Sequence, residues 1–276
     1  MKLLFTFILF FFLGCDKKQE KQDESIFEGV NHVQFSFDRS NRSFIVHIPD
    51  TLGEGPHPVI FAFHGGQGTN TIYPSALETV ISQNHWIGVY PQGVNGFWNS
   101  DIGTSTANDT GFVRKIVGWL NERLAIDHDR IYALGFSNGA IFCHKMARES
   151  DIFAAIAPVN GSWLTGQTIP SGAPEVSVLQ VTSLNDEIVP YNGGSPQGLS
   201  FQSVPAMMDA YAAHNGCSTS EVEVVNNSII TTYEYTGCTN RELQIYRLNT
   251  KTHFLDGATW STVYSVIGSF LDGKTK

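Results

Sequence analysis

A serine between two glycines, in the pentapeptide Gly135-Phe136-Ser137-Asn138-Gly139, is the residue best placed to do chemistry in this sequence. Residues 131–134 before it are an apolar run typical of a buried strand, and residues 140–148 after it have helical character. A sharp strand-to-helix turn lifts a serine hydroxyl clear of the sheet and aims a helix N-terminus at charge developing beside it. The sequence therefore predicts that Ser137 is a nucleophile.

A serine nucleophile needs a base within hydrogen-bond reach, and the base needs a carboxylate to orient it. In the strand–turn–helix setting of Ser137, the expected chain order is serine, acid, histidine. Three histidines follow the serine: His144, His214 and His253. The first two fall on predicted helices and are expected to be structural. His253 follows the strand predicted at 243–248 by a short loop, so we predict that it is the base.

Asp186 is the best candidate for the acid, because it lies just beyond the strand predicted at 176–181. Its neighbour Glu187 is a possible substitute, and Asp256 comes too late in the chain order. A purely structural role for Asp186, as a turn residue that binds nearby backbone N–H groups, is the alternative.

An ester or amide hydrolase also needs two backbone N–H groups aimed at the developing oxyanion. One candidate is Asn138, at the start of the helix. The other lies in His64-Gly65-Gly66, after the strand predicted at 59–63, and we favour Gly66 over Gly65. His64 itself precedes the serine and is expected to be a hydrogen-bonded turn residue rather than a base, and it is a candidate substrate-binding residue. No His, Cys or carboxylate cluster has metal-ligand spacing, so we expect no metal.

The segments between these residues alternate between buried strands and helices. Strands are predicted at 32–37, 43–48, 59–63, 86–90, 131–134, 154–159, 176–181, 229–235 and 243–248, and helices at 73–83, 112–124, 140–148, 207–214 and 261–271. A hairpin followed by such an alternation indicates a mostly parallel twisted sheet with helices on both faces. Ligand sites in such sheets lie at the carboxyl ends of the strands, which is where each candidate residue falls.

The N-terminus has the features of an export signal. A lysine precedes an apolar stretch from residue 3 to 13, and Leu13-Gly14-Cys15 resembles a bacterial lipoprotein processing site. We expect residues 1–15 to be a signal peptide with Cys15 as the lipidated residue, residues 16–30 to be a charged tether, and residues 31–276 to be one domain. An ordinary cleaved signal or an uncleaved anchor is the alternative. The protein is then exported, and it touches a membrane only through its lipid anchor.

Composition limits the remaining possibilities. The 276 residues are 42% hydrophobic and carry a formal charge of −9, which argues against nucleic acid as a partner. Besides Cys15 there are three cysteines. We expect Cys217 and Cys238 to form a disulfide, because they flank a candidate strand and an exported protein can keep one. Cys143 is expected to be buried and unreactive. The oligomeric state does not follow from the sequence.

Several segments together resemble one family of secreted esterases, the polyhydroxybutyrate depolymerases and feruloyl esterases, which includes lipoproteins of the LpqC kind. The similar segments run in the family's order and spacing: His64-Gly65-Gly66, Val89-Tyr90-Pro91-Gln92-Gly93, Trp98-Asn99, and residues 109–113, 131–139, 153–158 and 189–191. The cysteines in Asn215-Gly216-Cys217 and Thr236-Gly237-Cys238 also look like the family's pair. The resemblance covers roughly residues 42 to 253.

This resemblance implies an α/β-hydrolase fold and cofactor-independent ester hydrolysis through an acyl-enzyme on Ser137, with aryl, acetyl or polymeric ester substrates. It also implies that Trp98 lines the substrate groove; a core tryptophan is the alternative. The chain departs from the family pattern at Thr182-Ser183, before the acid, and at Phe254-Leu255-Asp256, after the last histidine. Both departures leave the substrate open. A serine peptidase on the same fold and a non-catalytic glycan-binding lipoprotein are the competing interpretations.

Overall fold

The structure, a computed structural model, describes residues 26–218 and 221–276. The predicted signal peptide, the lipidation site at Cys15 and most of the predicted tether lie outside the described residues. The first strand begins at Gly29, so the last two residues assigned to the tether belong to the sheet.

Strands and helices alternate through most of the described chain. The strands are β1 (Gly29–Phe37), β2 (Ser40–Ile48), β3 (His57–Phe63), β4 (Ile87–Pro91), β5 (Ile126–Phe136), β6 (Ala155–Val159), β7 (Ser177–Ser183), β8 (Glu221–Asn226), β9 (Ile230–Tyr235) and β10 (Leu243–Leu248). The α-helices are α1 (Tyr73–Ala76), α2 (Glu78–Asn84), α3 (Asp109–Asn121), α4 (Asn138–Glu149), α5 (Val204–His214) and α6 (Gly257–Leu271).

All ten of these strands form one sheet, in the order β1-β2-β4-β3-β5-β6-β7-β10-β9-β8. The six central strands, from β4 to β10, pair in parallel, and the outer pairs at both ends are antiparallel. The carboxyl ends of β3, β5, β7 and β10 therefore meet at one edge of the sheet. The α/β-hydrolase fold implied by the sequence is confirmed.

The sheet separates two apolar cores, one on each face. Along β5, Ile131 and Ala133 belong to one core, whereas Tyr132 and Leu134 belong to the other, because successive side chains of a strand point to opposite faces. All seven residues of β3 are buried, as expected of a strand covered on both sides. The site at the strand ends is thus built on a rigid centre.

Several elements differ from the sequence-based expectation, including β5, which begins five residues earlier than predicted, at Ile126. Strand β8 is not predicted, because it is exposed along almost its whole length and shows no buried alternate face. The helix predicted at 73–83 divides at Leu77. Helix α6 begins four residues early, because Asp256 caps it by accepting a hydrogen bond from the Thr259 N–H at 2.9 Å. No helix in the described part of the chain has the length and apolar character needed to span a bilayer.

Candidate active site

Ser137 lies at the turn between β5 and α4, in a strained backbone conformation. Its φ of 53° and ψ of −118° fall outside the regions that residues with a side chain normally occupy. The two glycines of the pentapeptide make this turn possible: a side chain on Gly139 would run into the carbonyl oxygens of Phe63 and His64, and one on Gly135 would run into that of Gly139. Strain concentrated at one polar side chain is typical of a functional turn.

A continuous hydrogen-bonded chain joins three residues that are far apart in sequence. The Nε2 of His253 is 2.9 Å from Ser137 Oγ, and its Nδ1 is 2.7 Å from Asp186 Oδ2. Because a carboxylate can only accept, the Nδ1 carries the proton and Nε2 is left as the acceptor for the serine hydroxyl. This is the tautomer that a general base requires.

Asp186 is fixed by its own backbone neighbours. Its Oδ1 accepts the N–H groups of Ile188 and Val189, each at 2.8 Å, so Oδ2 is the oxygen left for His253. Both Asp186 and His253 are 4% exposed, and the pair is therefore shielded from water. Glu187, the possible substitute, is exposed. Asp256 caps α6 and pairs with Lys251 at 2.6 Å; hydrogen bonding to Lys251 and Thr259 lowers the pKa of its carboxyl.

The predicted oxyanion donors lie beside each other. Asn138 is the first residue of α4, so its N–H has no carbonyl of its own helix to bind. Gly66 is next to it: a methyl group added to Gly66 would lie 3.8 Å from Asn138 Cβ. The same addition at Gly65 would meet Phe136 instead, at 2.9 Å. Both glycines thus lie beside the serine turn, and the oxyanion roles of Gly66 and Asn138 remain a proposal.

Neither Trp98 nor His64 is placed to contact substrate, which corrects the sequence-based assignment of both. Trp98 is fully buried, and its ring stacks on Phe142 with centroids 5.1 Å apart. Its Nε1 donates to the His64 carbonyl at 2.9 Å. His64 is 1% exposed. Its Nδ1 donates to the Gly65 carbonyl at 2.8 Å, its Nε2 accepts the Gly93 N–H at 3.0 Å, and burial lowers its pKa.

Both side chains therefore hold the loop that carries Gly66. The side chain of Asn138 adds to this support by accepting the Trp98 N–H at 2.8 Å and donating to Ser100 Oγ at 2.6 Å. The sequence correctly placed Trp98 and His64 near Ser137, but it could not show in which direction their side chains point.

Asn160, directly after β6, is a residue that the sequence reasoning missed. It is fully buried and has a φ of 50°. Its Nδ2 donates to the backbone carbonyl of His253 at 2.8 Å, and its Oδ1 accepts the Ser183 N–H at 2.8 Å. The available signal was an asparagine followed by glycine at the end of a buried strand, since asparagine tolerates positive φ. Asn160 thus connects the loop that carries His253 to the end of β7.

Cys217 and Cys238 form the expected disulfide, and Cys143 is free and buried. His144 is buried between Tyr211 and Gln180, and His214 ends α5. In the described ranges no group of three or more His, Cys, Asp or Glu side chains is arranged to hold a metal ion.

Comparison with known proteins gives relatives in sequence and in structure. Feruloyl esterase C of Emericella nidulans is 24% identical over 219 residues, which is 76% of this chain and 71% of that protein. The structure of LpqC, a poly(3-hydroxybutyrate) depolymerase from Bordetella parapertussis, superposes with a TM-score of 0.57 and 17% identity, covering 91% of this chain and 92% of LpqC. The chain is thus similar in sequence to feruloyl esterases and has the α/β-hydrolase fold. No protein-family model matches it.

A peptidase shares the same fold. The acylaminoacyl peptidase of Pyrococcus horikoshii superposes with a TM-score of 0.60 and 15% identity, covering 90% of this chain and 42% of the peptidase. The fold alone therefore does not separate ester from peptide hydrolysis, whereas the relatives in sequence are esterases.

Proposed function

We propose that this α/β-hydrolase cleaves carboxylic esters through an acyl-enzyme formed on Ser137, with aryl, acetyl or polyester substrates. The observation that carries the proposal is the hydrogen-bonded chain from Ser137 through His253 to Asp186, at 2.9 and 2.7 Å. The feruloyl esterase relatives support an ester rather than a peptide as the substrate.

In the acylation step, Ser137 Oγ attacks the ester carbonyl while His253 Nε2 takes the hydroxyl proton. The carbonyl oxygen becomes an oxyanion, which the N–H groups of Gly66 and Asn138 stabilise. His253 then gives the proton to the departing alkoxide, and the alcohol leaves. Asp186 holds the imidazole in the correct tautomer throughout and stabilises its charged form.

In the deacylation step, a water molecule replaces the alcohol. His253 takes its proton as it attacks the acyl carbonyl, and then returns the proton to Ser137 as the acid leaves. An oxyanion donor of this kind typically contributes about 10² to 10³ in rate. The strained turn places Ser137 Oγ 2.9 Å from His253 Nε2, which is within reach for transfer of the hydroxyl proton.

A fluorophosphonate probe tests the nucleophile, since it forms a covalent bond only with an activated serine. We expect labelling of the wild-type protein, with loss of fluoride, and no labelling of Ser137→Ala. Equal labelling of both proteins, or of neither, contradicts the proposal; no labelling of either favours the non-catalytic glycan-binding alternative. Methyl ferulate, acetylated xylan, hydroxybutyrate oligomers and chromogenic peptides then distinguish esterase from peptidase, because rapid peptide cleavage without ester turnover contradicts an esterase.

We also propose that the protein is exported and anchored by lipid on Cys15. The disulfide supports export, because such bonds persist in oxidising compartments. Mass spectrometry of the mature N-terminus tests the anchor. The expected first residue is a lipid-modified Cys15, and an unmodified N-terminus at another residue contradicts it.

A further inference from the structure

Arg42 and Asp109 form a buried ion pair that the reaction proposed above does not use. Arg42 Nη2 donates to Asp109 Oδ1 at 2.6 Å, and the two side chains are only 3% and 0% exposed. Arg42 lies on β2, and Asp109 is the first residue of α3. The guanidinium also packs over the Phe112 ring, 3.9 Å from its centroid. The pair thus joins the sheet to a helix in a setting that is shielded from water.

A buried ion pair of this kind contributes little net stability. Taking two charges out of water costs about as much as their attraction returns, so apolar side chains can often replace both partners without loss. What the pair does supply is direction, because each carboxylate oxygen and each guanidinium N–H bonds along a preferred line. The other hydrogen bonds of the two side chains therefore indicate what the pair holds in place.

The carboxylate of Asp109 holds the loop that binds the Asn138 side chain. Its second oxygen, Oδ2, accepts the Asn99 N–H at 2.7 Å. The residues on either side of Asn99 are bonded to Asn138: the Trp98 N–H donates to Asn138 Oδ1 at 2.8 Å, and Ser100 Oγ accepts from Asn138 Nδ2 at 2.6 Å. Because Asn138 is the first residue of α4, holding its side chain also holds the direction of its backbone N–H.

The guanidinium of Arg42 holds the loop that carries Gly66. Its Nη2 also donates to the Gln92 carbonyl, at 3.1 Å. The Gln92 side-chain NH₂ group lies within hydrogen-bond distance of the Gly68 carbonyl and of His64 Nε2, at 3.2 and 3.0 Å. Gly66 lies between these two residues in the chain, so its turn is held on both sides.

The two sets of contacts meet at a second point. Trp98 Nε1 donates to the His64 carbonyl at 2.9 Å, which bonds the loop of Asn99 directly to the loop of Gly66. The ion pair thus closes a ring of hydrogen bonds that runs past both proposed oxyanion donors. An oxyanion hole depends on such a frame, because its two N–H groups must aim at one point.

We propose that Arg42 and Asp109 are positioning residues, which hold the N–H groups of Gly66 and Asn138 in the arrangement that binds one oxyanion. The proposal rests on the proposed ester hydrolysis. Both side chains are buried, so they act through the two loops and not on the substrate. A misplacement of about 1 Å can cost about 100-fold in rate. Because the oxyanion forms only after the substrate is bound, disturbing the pair should lower kcat and leave KM nearly unchanged.

The first test changes the geometry of the pair and keeps both charges. Asp109→Glu adds one CH₂ group, which moves the carboxylate relative to Asn99, and should lower kcat on p-nitrophenyl acetate about 10-fold with KM within about twofold. Arg42→Lys should retain most of the wild-type kcat, because one nitrogen makes both hydrogen bonds of Arg42 and an ammonium group has enough donors for both. Wild-type kcat in Asp109→Glu would overturn the proposal, and so would an equal loss in Arg42→Lys.

The second test separates positioning from stability. Arg42→Met leaves the Asp109 carboxylate buried without its cation and should lower the urea concentration at the midpoint of unfolding, whereas Arg42→Met combined with Asp109→Leu should recover most of that stability. The double variant has no group to bind the Asn99 N–H or the Gln92 carbonyl, so its kcat should stay about 10- to 100-fold below the wild type. If kcat recovers together with stability, the pair is merely structural and the proposal is wrong.

The matched control is Arg130→Met, which breaks an ion pair with Asp127. That pair has an Nε to Oδ2 distance of 2.7 Å and lies near the end of β5 away from Ser137. The control should leave kcat unchanged. A fall in kcat as large as that of Asp109→Glu would contradict the proposal, because loss of any ion pair would then have the same effect.

Failure of the ester hydrolysis itself is distinguished by NMR spectroscopy. The ¹H–¹⁵N signals of Gly66 and Asn138 report on the two N–H groups without any reaction. Both signals should shift in Asp109→Glu and stay unchanged in Arg130→Met. If the wild-type protein cleaves no ester but these shifts are seen, the positioning role stands and the proposed reaction does not. Unchanged signals in Asp109→Glu would overturn the positioning role.

Discussion

Replacing Asp186 by asparagine should inactivate the protein by fixing the wrong tautomer of His253. The asparagine side chain has the same shape but one carbonyl oxygen and one NH₂ group. In the native structure Oδ1 accepts two backbone N–H groups, from Ile188 and Val189, both at 2.8 Å. The amide oxygen must therefore occupy the Oδ1 position, and the NH₂ group takes the position of Oδ2. In the native structure Oδ2 is 2.7 Å from His253 Nδ1, so the NH₂ group then faces that nitrogen.

The alternative amide orientation is unfavourable. It would set the NH₂ group against two buried N–H donors, and each unsatisfied donor costs about 1 to 3 kcal/mol, whereas a restored hydrogen bond to His253 returns only about 1 kcal/mol. With NH₂ donating to Nδ1, the imidazole proton moves to Nε2. Nε2 can then no longer accept the proton of Ser137. The equivalent change in the Ser-His-Asp template lowers kcat about 10⁴-fold, or about 5.5 kcal/mol of transition-state stabilisation.

The assay is kcat and kcat/KM on p-nitrophenyl acetate at pH 7. Glu187→Gln provides the matched control, because it makes the same chemical change one residue later on an exposed side chain. We expect the control to stay within about twofold of the wild type, and Asp186→Asn to keep its fold by circular dichroism. An Asp186→Asn protein that retains more than a tenth of wild-type kcat would refute the reasoning, and so would a control that loses as much.

Two further predictions concern buried polar groups. Asn160→Ala removes the hydrogen bonds to the His253 loop and to Ser183, so we expect kcat to fall about 10- to 100-fold with little change in KM. The control is Asn215→Ala, which removes a buried asparagine bonded to the Val176 carbonyl and should lower stability but leave kcat unchanged. An equal kcat for the two variants would contradict a positioning role for Asn160. Burial lowers the pKa of His144 to about 3, below its unfolded value near 6.5, so the unfolded state takes up a proton first as pH falls through that interval. His144 should thus reduce the free energy of unfolding by about 1.4 kcal/mol per pH unit below 6.5. Urea unfolding at pH 7 and at pH 5 measures this loss of stability, which should be smaller in His144→Gln than in the wild-type protein. An equal loss in the two proteins would contradict this.

Much of the fold and of the candidate site could be predicted because both depend on strand ends. Apolar runs mark the buried parallel strands, and the residues directly after them must meet at one edge of the sheet. Ser137, Asp186 and His253 each follow such a run, and the structure brings them together. Strand β8 escaped prediction because an exposed edge strand carries no burial pattern to detect.

Side-chain direction in the loops could not be predicted in the same way. Whether Trp98 faces solvent or core is decided by Phe142, which lies on α4, 44 positions away, and by the carbonyl of His64. Such contacts depend on how two loops pack against each other, and they produce no periodic hydrophobic pattern in the sequence. Asn160 escaped for a related reason, since its partners are backbone groups of two other segments.

The three candidate catalytic positions are connected by backbone hydrogen bonds that continue the sheet beyond the ends of its strands. Ser137 N–H donates to the Val159 carbonyl at 2.9 Å, which ties the turn to the end of β6. Asn160 N–H donates to Val181 in β7 at 3.0 Å, and Leu184 N–H donates to Leu248 in β10 at 2.9 Å.

This ladder therefore connects the serine turn, the acid loop and the histidine loop in one register. Inserting a single residue directly after β5, β6 or β7 would remove one of these backbone hydrogen bonds and shift the loop that follows by about 3.3 Å, the rise of one strand residue. That displacement exceeds the tolerance of the 2.9 Å contact between His253 and Ser137. Chain order and strand register together, rather than the pentapeptide alone, are what make a triad from three ordinary side chains.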